Sequence, residues 1–455
     1  MRDAVNNYLE LALDYVQAEL YEEADHVLEF FCERWTAAGQ AVGSPLVHYY
    51  RGWLAGQVGN AEKALGHYRC GAAADPACCF PNKIMEVPIL QDAMRSNPED
   101  ARAPYYLGNL WYDKRQYEDA IACWRQAARL DGSFPTVFRN LALASYNKLG
   151  DKAAALTALE KAFALDTGDA RVLMELDQLY KITGRGFAGR LQLLESHSGL
   201  VQQRDDLYLE RITLYNNIGE YEKARRLLAA RRFHPWEGGE GKVVGQYLIC
   251  MHSLARKALL RGDYRQALEL VTATGAYPEN LGEGKLYGAQ ENDRYYLLGC
   301  VYEGLNEREK AREHFERATD GISVPVQAIY YNDPQPDQIV YQALAWRKLG
   351  RHERAESIFR NFVAFGEEHL FDSIVIDYFA VSLPDMLVFE QDLNRRNFIH
   401  CKYLIGLGYL GLGEEEKGTA SLQEVLKLDI NHQGAAFHLQ HDPILFFQPN
   451  PLFEL

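Results

Sequence analysis

PYYLGNLWYDKRQYEDAIACWRQAARLD, Pro104 to Asp131, is the stretch that decides the fold. A Leu107-Gly108 pair is followed by Trp111, then by Tyr117-x-x-Ala120, then by Trp124 and Ala127. Apolar residues at three- and four-residue steps predict two helices joined by the short turn before Tyr117. Small residues where the helices cross and aromatics in the remaining gaps predict that the pair is antiparallel and tightly packed.

The same frame recurs at a period of about 34 residues, the signature of a repeat array. Near the N-terminus it reads Leu11, Ala12, Tyr15, Tyr21, Ala24, Leu28 and Phe31, and the next unit has Gly52, Gly59, Ala64 and Tyr68. A copy from Leu141 to Asp166 carries one inserted residue, and Asp169 to Leu200 is a weak copy with Gly189 at the small crossing position. Later copies are marked by Tyr215 and Tyr221, by Ala255 and Tyr264, by Gly299 and Phe315, by Gly350 and Phe359, and by Gly406 and Leu422. This pattern resembles the tetratricopeptide repeat. The resemblance implies an all-α fold, a right-handed α-solenoid of about nine or ten helix-turn-helix units with long inserted loops, in which each unit covers its neighbour's apolar face. Residues 1–455 are expected to form one superhelical domain, with sub-arrays 1–230 and 246–455 joined by the glycine-rich loop at 231–245.

Composition narrows the function. The 63 acidic and 48 basic residues leave a net charge of -15, which opposes adhesion to nucleic acid or to an anionic membrane. No apolar run approaches the about 18 residues of a membrane span, and the opening MRDAVNNYLELALDYV reads as an amphipathic helix rather than an export signal. The eight cysteines include no C-x-x-C pair and fall mostly on apolar stripes, as reduced thiols in a reducing cytoplasm do. A cytoplasmic protein without metal or cofactor is expected.

Several connections exceed what a repeat needs: 77–100, 231–246, 275–293, 319–337 and 366–397. Two of them share a motif, RFHPWEGGEGK before helix-forming sequence at Val243 and YPENLGEGK from Tyr277 to Lys285. Neither is a Walker loop: Gly241-Lys242 is followed by Val243 and Gly284-Lys285 by Leu286, so the magnesium-binding hydroxyl is missing. Two readings remain. In the structural one, glycines supply positive backbone angles, each GEGK opens the next first helix, and its glutamate favours that helix's positive end. In the other, His234, Trp236, Glu237, Glu240 and Lys242 from one loop, with Tyr277, Glu279, Asn280, Glu283 and Lys285 from its echo, form a contact surface. Paired carboxylates beside an aromatic platform also suit a carbohydrate.

The run from RLQLLESHSGLVQQRDDLYLE through the two GEGK loops to SLPDMLVFEQDLNRRN resembles the C-terminal repeat region of a family of large bacterial proteins, in which tetratricopeptide repeats follow an N-terminal β-rich domain. That resemblance implies a β-rich partner domain and an association with carbohydrate, and it assigns no catalytic residue. Asn109 and Asn140 lie on first helices of successive repeats, where asparagines of some tetratricopeptide proteins hold a peptide backbone or a terminal carboxylate. Tyr105 and Met174 stand where a carboxylate clamp would place cations. His432, His438 and His441 match no strong zinc spacing, and Arg225, Arg226, Arg231 and Arg232 are read as favouring a helix C-terminus. The reading is a non-catalytic scaffold that binds a protein or a β-rich domain, with carbohydrate as the alternative ligand and no nucleic acid or membrane.

Overall fold

A computed structural model describes residues 5–37, 44–236, 238–328, 333–375 and 388–440. Among these the chain is α-helix, turns and connecting segments, with one 3-10 helix at Glu279–Leu281 and no strand. It divides into two compact units, Met1–Val172 and Leu173–Leu455. The expected sub-array junction at 231–245 therefore lies inside the second unit.

The first unit holds hairpins α1 (Val5–Gln17) with α2 (Tyr21–Ala37), α3 (Pro45–Gln57) with α4 (Ala61–Ala73), α6 (Arg102–Asp113) with α7 (Tyr117–Leu130) and α8 (Pro135–Asn147) with α9 (Lys152–Leu165), and an extra helix α5 (Glu86–Ser96). The quoted stretch is the pair α6 and α7. Its crossing is set by sterics: a Cβ on Gly108 would lie 2.5 Å from the Trp124 indole. Gly52 under Tyr68, Gly299 under Phe315 and Gly406 under Leu422 repeat the arrangement at the same sequence spacing. Ala142 and Leu159, one position further apart, are both fully buried, which locates the inserted residue in the turn between α8 and α9.

Each first helix ends in a left-handed residue. Gly59, Gly150, Gly219, Gly262, Gly350 and Gly413 take positive φ there, and Glu19, Arg115 and Asn306 take it where glycine is replaced. The next amide then reaches back to the helix, Gln116 N–H to Trp111 O at 2.8 Å and Arg351 N–H to Trp346 O at 2.8 Å, so the last carbonyls are satisfied. The long connection 77–100 is fastened by buried tyrosines: the hydroxyls of Tyr49, Tyr50 and Tyr68 donate to Asp100, Glu86 and Asp92 at 2.9, 3.2 and 2.6 Å. Glu86 also accepts the Asn82 and Lys83 amides at the start of α5. Burial pushes the Glu86 and Asp100 carboxyls above the ordinary carboxylate range.

The second unit begins within α10 (Ala170–Ile182) and continues through α11 (Phe187–Ser196), the short α12 (Ser198–Val201) and the hairpins α13 (Asp205–Asn217) with α14 (Tyr221–Ala230), α15 (Lys242–Leu260) with α16 (Tyr264–Ala273), α17 (Asn292–Gly304) with α18 (Arg308–Ala318), α19 (Pro336–Lys348) with α20 (His352–Glu368) and α21 (Leu393–Gly411) with α22 (Glu415–Leu428). A six-residue helix, α23 (Gln433–His438), follows. The long connections of this unit are tied down by asparagines. Asn280 donates its amide to the carbonyls of Leu228 and Arg231, Asn292 to those of Ala318 and Asp320, and Asn397 to that of His369. Each satisfies carbonyls that the end of a second helix leaves open.

Candidate functional site

The two GEGK loops meet, and they meet each other. Phe233 N–H donates to Asn280 O at 2.8 Å, and Gly241 N–H donates to a Glu283 carboxylate oxygen at 2.9 Å. Gly241 is the left-handed N-cap of α15, with φ 72°, so Glu283 supplies the side-chain acceptor that the cap lacks. The expectation that each GEGK opens its own helix holds for the first loop only. Lys242 begins α15, whereas the second loop ends at Lys285 and the next first helix begins at Asn292. The intervening residues run through an exposed Leu286 and Tyr287.

The approach leaves no room for side chains. Gly282 has φ 79°, and a Cβ there would lie 2.6 Å from Phe233 O. The Trp236 indole lies directly on Gly239, whose N–H donates to Trp236 O at 2.9 Å, so this half-exposed ring is part of a tight turn. Lys285 is a staple: its ammonium donates to Gly275 O at 3.1 Å and to Glu291 at 2.5 Å, where Arg294 also bonds. Tyr277 is half-buried beside this staple's loop, and Lys242 is exposed.

The carboxylates differ in their surroundings. Burial pushes the Glu283 carboxyl above its ordinary value against the Gly241 amide that holds it down, and the charge of Glu240 pushes it up further. Glu279 is 95% exposed and stands 3.8 Å from Arg232, which is also exposed. Glu240 is exposed, and Glu237 lies outside the described residues. His234, also exposed, approaches Asp205 at 3.2 Å through Nδ1. Burial would raise Asp205, but the His234 amide and the Arg231 guanidinium hold it below the ordinary carboxylate value. Arg231 thus caps this corner by pairing with Asp205 at 2.5 Å. Among the described residues no group of three or more metal-ligating side chains occurs. His432 caps α23 by accepting the Ala435 amide, His438 bonds Asp337 at 2.8 Å, and His441 lies outside the described residues.

The two asparagines of the first unit are joined. Asn140 Nδ2 donates to Asn109 Oδ1 at 3.1 Å, and the same oxygen accepts the Trp124 indole N–H at 3.1 Å. Asn109 thus joins Trp124 of its own repeat to Asn140 of the next. Burial raises the Tyr105 phenol, while the charges of Arg102 on α6 and Arg139 on α8 pull it back. Arg102 stacks 3.7 Å over the Phe134 ring and lies 3.5 Å from Asp131. Sequence reasoning looked for cations at Tyr105 and missed Arg102 and Arg139, which arrive from neighbouring helical positions.

Sequence reasoning also missed a buried cluster in the second unit. Arg190, 1% exposed, pairs with Asp177 at 2.5 Å and with Glu210 at 2.6 Å. The signal was present: an arginine on the apolar stripe of Phe187, Leu191 and Leu194 requires a buried partner.

Stacked helical hairpins with small residues at each crossing define an all-α helical-repeat protein. The repeats are tetratricopeptide repeats where family models match: one described as TPR repeat covers residues 108–148, and one described as tetratricopeptide repeat covers 293–320. A curated relative, the formate-dependent nitrite reductase complex subunit NrfG of Escherichia coli O157:H7, is 29% identical over 97 residues, 21% of this chain and 49% of that protein. The chain thus spans about half the length of that relative. Among solved structures, Naa15/Naa10 bound to HypK-THB matches with TM-score 0.38 and 13% identity over 88% of this chain and 61% of that one. YrrB, described as a TPR protein with an unusual peptide-binding site, matches with TM-score 0.27 and 17% identity over 51% and 91%. The findings extend to the repeats and not to a β-rich domain. No helix among the described residues is long and apolar enough to cross a membrane.

Proposed function

We propose that this chain is a non-catalytic protein-binding scaffold, and that the face built by α6 and α8 holds an extended, acidic segment of the partner. The observation that carries the reading is the Asn109–Asn140 hydrogen bond, with the charges of Arg102 and Arg139 acting on Tyr105 from the same two helices. An amide oriented by its neighbour can hold a peptide backbone, and two guanidinium groups suit a carboxylate in a molecule that is otherwise acidic. The GEGK loops serve this scaffold as fasteners, with Trp236, Glu240, Lys242, Tyr277 and Glu279 on their outer rim as a secondary contact surface. A β-rich domain of the kind expected from sequence is one partner to test.

The carbohydrate reading requires two carboxylates facing one ligand. Glu283 is instead engaged with the Gly241 amide, and Glu279 projects into solvent. Calorimetry of the full chain against acidic peptides, their neutral counterparts and a panel of oligosaccharides separates the two readings. Acidic peptides should bind, and Asn140→Ala or Arg139→Glu should weaken them about tenfold, roughly 1.4 kcal/mol. Sugar binding lost in Glu240→Gln and Glu283→Gln would replace this reading with the carbohydrate one.

A further inference from the structure

In the second unit, the segment after α22 crosses from the last hairpin to the first. Asn431 donates its amide to Lys181 O at 3.2 Å and to Arg185 O at 3.1 Å, and its oxygen accepts from Arg190 at 3.0 Å. Gln433 accepts from Gln246 at 3.1 Å. The Phe437 ring lies 4.3 Å under the Arg256 guanidinium, which also donates to the Tyr341 hydroxyl at 2.7 Å. His438 bonds Asp337 at 2.8 Å, and the His432 ring packs on Tyr403 at 4.7 Å. The groups that receive this segment come from α10, α11, α15, α19 and α21. Four of these five helices open a hairpin or begin the unit, and the segment runs along the face they share.

We infer that residues 429–438 are a ligand bound in cis: they occupy a peptide-binding groove on the second unit and can be displaced by a partner segment of the same pattern. The recognition code is an asparagine, read by two carbonyls and Arg190, with an aromatic ring six residues on, read by Arg256. The asparagine contact repeats the chemistry by which Asn280 and Asn292 fasten loops, but here the carbonyls belong to α10 and the turn after it, far away in sequence. The holding forces suit a latch rather than a core element. Helix α23 is six residues long, too short to be stable alone. Ala435 is the one fully buried apolar side chain of the described segment, the Phe437 ring is only partly buried against the core, and the polar contacts contribute about 1 kcal/mol net each.

The proposal is independent of the site on the first unit and is tested on the full-length chain with a labelled synthetic peptide, DINHQGAAFH, residues 429–438. Fluorescence anisotropy should show the peptide binding the Asn431→Ala/Phe437→Ala variant at least tenfold more tightly than the unaltered chain, whose groove is filled. Adding Arg190→Met to that variant should abolish the gain. Equal, negligible binding to both proteins, with helical content retained, would overturn the proposal. A second measurement needs no variant: by hydrogen exchange in the unaltered chain, residues 430–438 should open well before the hairpins α13 to α22 unfold. Exchange of the segment only through global unfolding would make it part of the core and sink the latch.

Discussion

Glu283, a contact candidate in the sequence, engages the neighbouring loop in the structure. It caps the amide of Gly241 across two loops, and burial raises its pKa, so its charged form carries a desolvation cost at neutral pH. Glu283→Gln keeps an acceptor and removes that cost. Its thermal stability at pH 7 should match or slightly exceed the parent, whereas Glu283→Ala should lose about 1 kcal/mol or somewhat more, as helix-cap removals do. A large loss in the glutamine variant would show that the charge itself is needed. Arg190 makes the opposite case. Removing it leaves Asp177 and Glu210 without their shared cation, and Arg190→Ala should lose about 3–5 kcal/mol in denaturant unfolding. Asp293 gives a pH dependence: burial opposes its ionisation, yet His252 at 3.0 Å holds its pKa below the ordinary carboxylate value. A depressed folded pKa stabilises above the unfolded value of about 3.9 and is lost as pH falls through the folded one. Stability followed by denaturant titration below about pH 4 should therefore fall less steeply in Asp293→Asn than in the parent. The candidate residues themselves were legible in the sequence. Their partners were not, because Glu283 to Gly241 and Asn280 to Leu228 are contacts between loops that no periodicity predicts.

At the scale of the element, the hairpins follow from the sequence because the repeat constrains both ends of each helix. Small residues mark the crossings, and a left-handed residue marks each turn. Arg115 occupies one such turn with φ 61°, where glycine avoids the Cβ clash. Arg115→Gly should raise the melting temperature, corresponding to about 0.5–1 kcal/mol, while Gly108→Ala should lower stability by about 1–3 kcal/mol by pushing the Trp124 ring off its seat. A destabilising Arg115→Gly would mean that the arginine's own contacts outweigh backbone strain. The insertions were less legible. Helix α5 lies in a connection punctuated by Pro81, Pro88 and Pro98, and its position depends on tyrosine–carboxylate bonds to α3 and α4 that lie outside any local pattern. The second GEGK loop looked like a helix start because the first one is, but its Gly282 serves close approach to Phe233 instead.

For the whole molecule, the repeat pattern supplied the class of protein. The loop at 231–241 lies within the second unit, where Asn280 and Glu283 bond to it. The two units carry different arrangements. The first presents joined asparagines beside two arginines, and the second holds its own residues 429–438 across its helices. The central claim, that this is a scaffold which recognises an acidic peptide rather than a sugar, is tested most directly by titrating the full chain and its Arg139→Glu variant with acidic peptides in a calorimeter. The account predicts saturable binding to the parent that weakens about tenfold in the variant, with oligosaccharides silent toward both. Heat from an oligosaccharide that survives Arg139→Glu and disappears in Glu240→Gln, with the peptides silent, would contradict it.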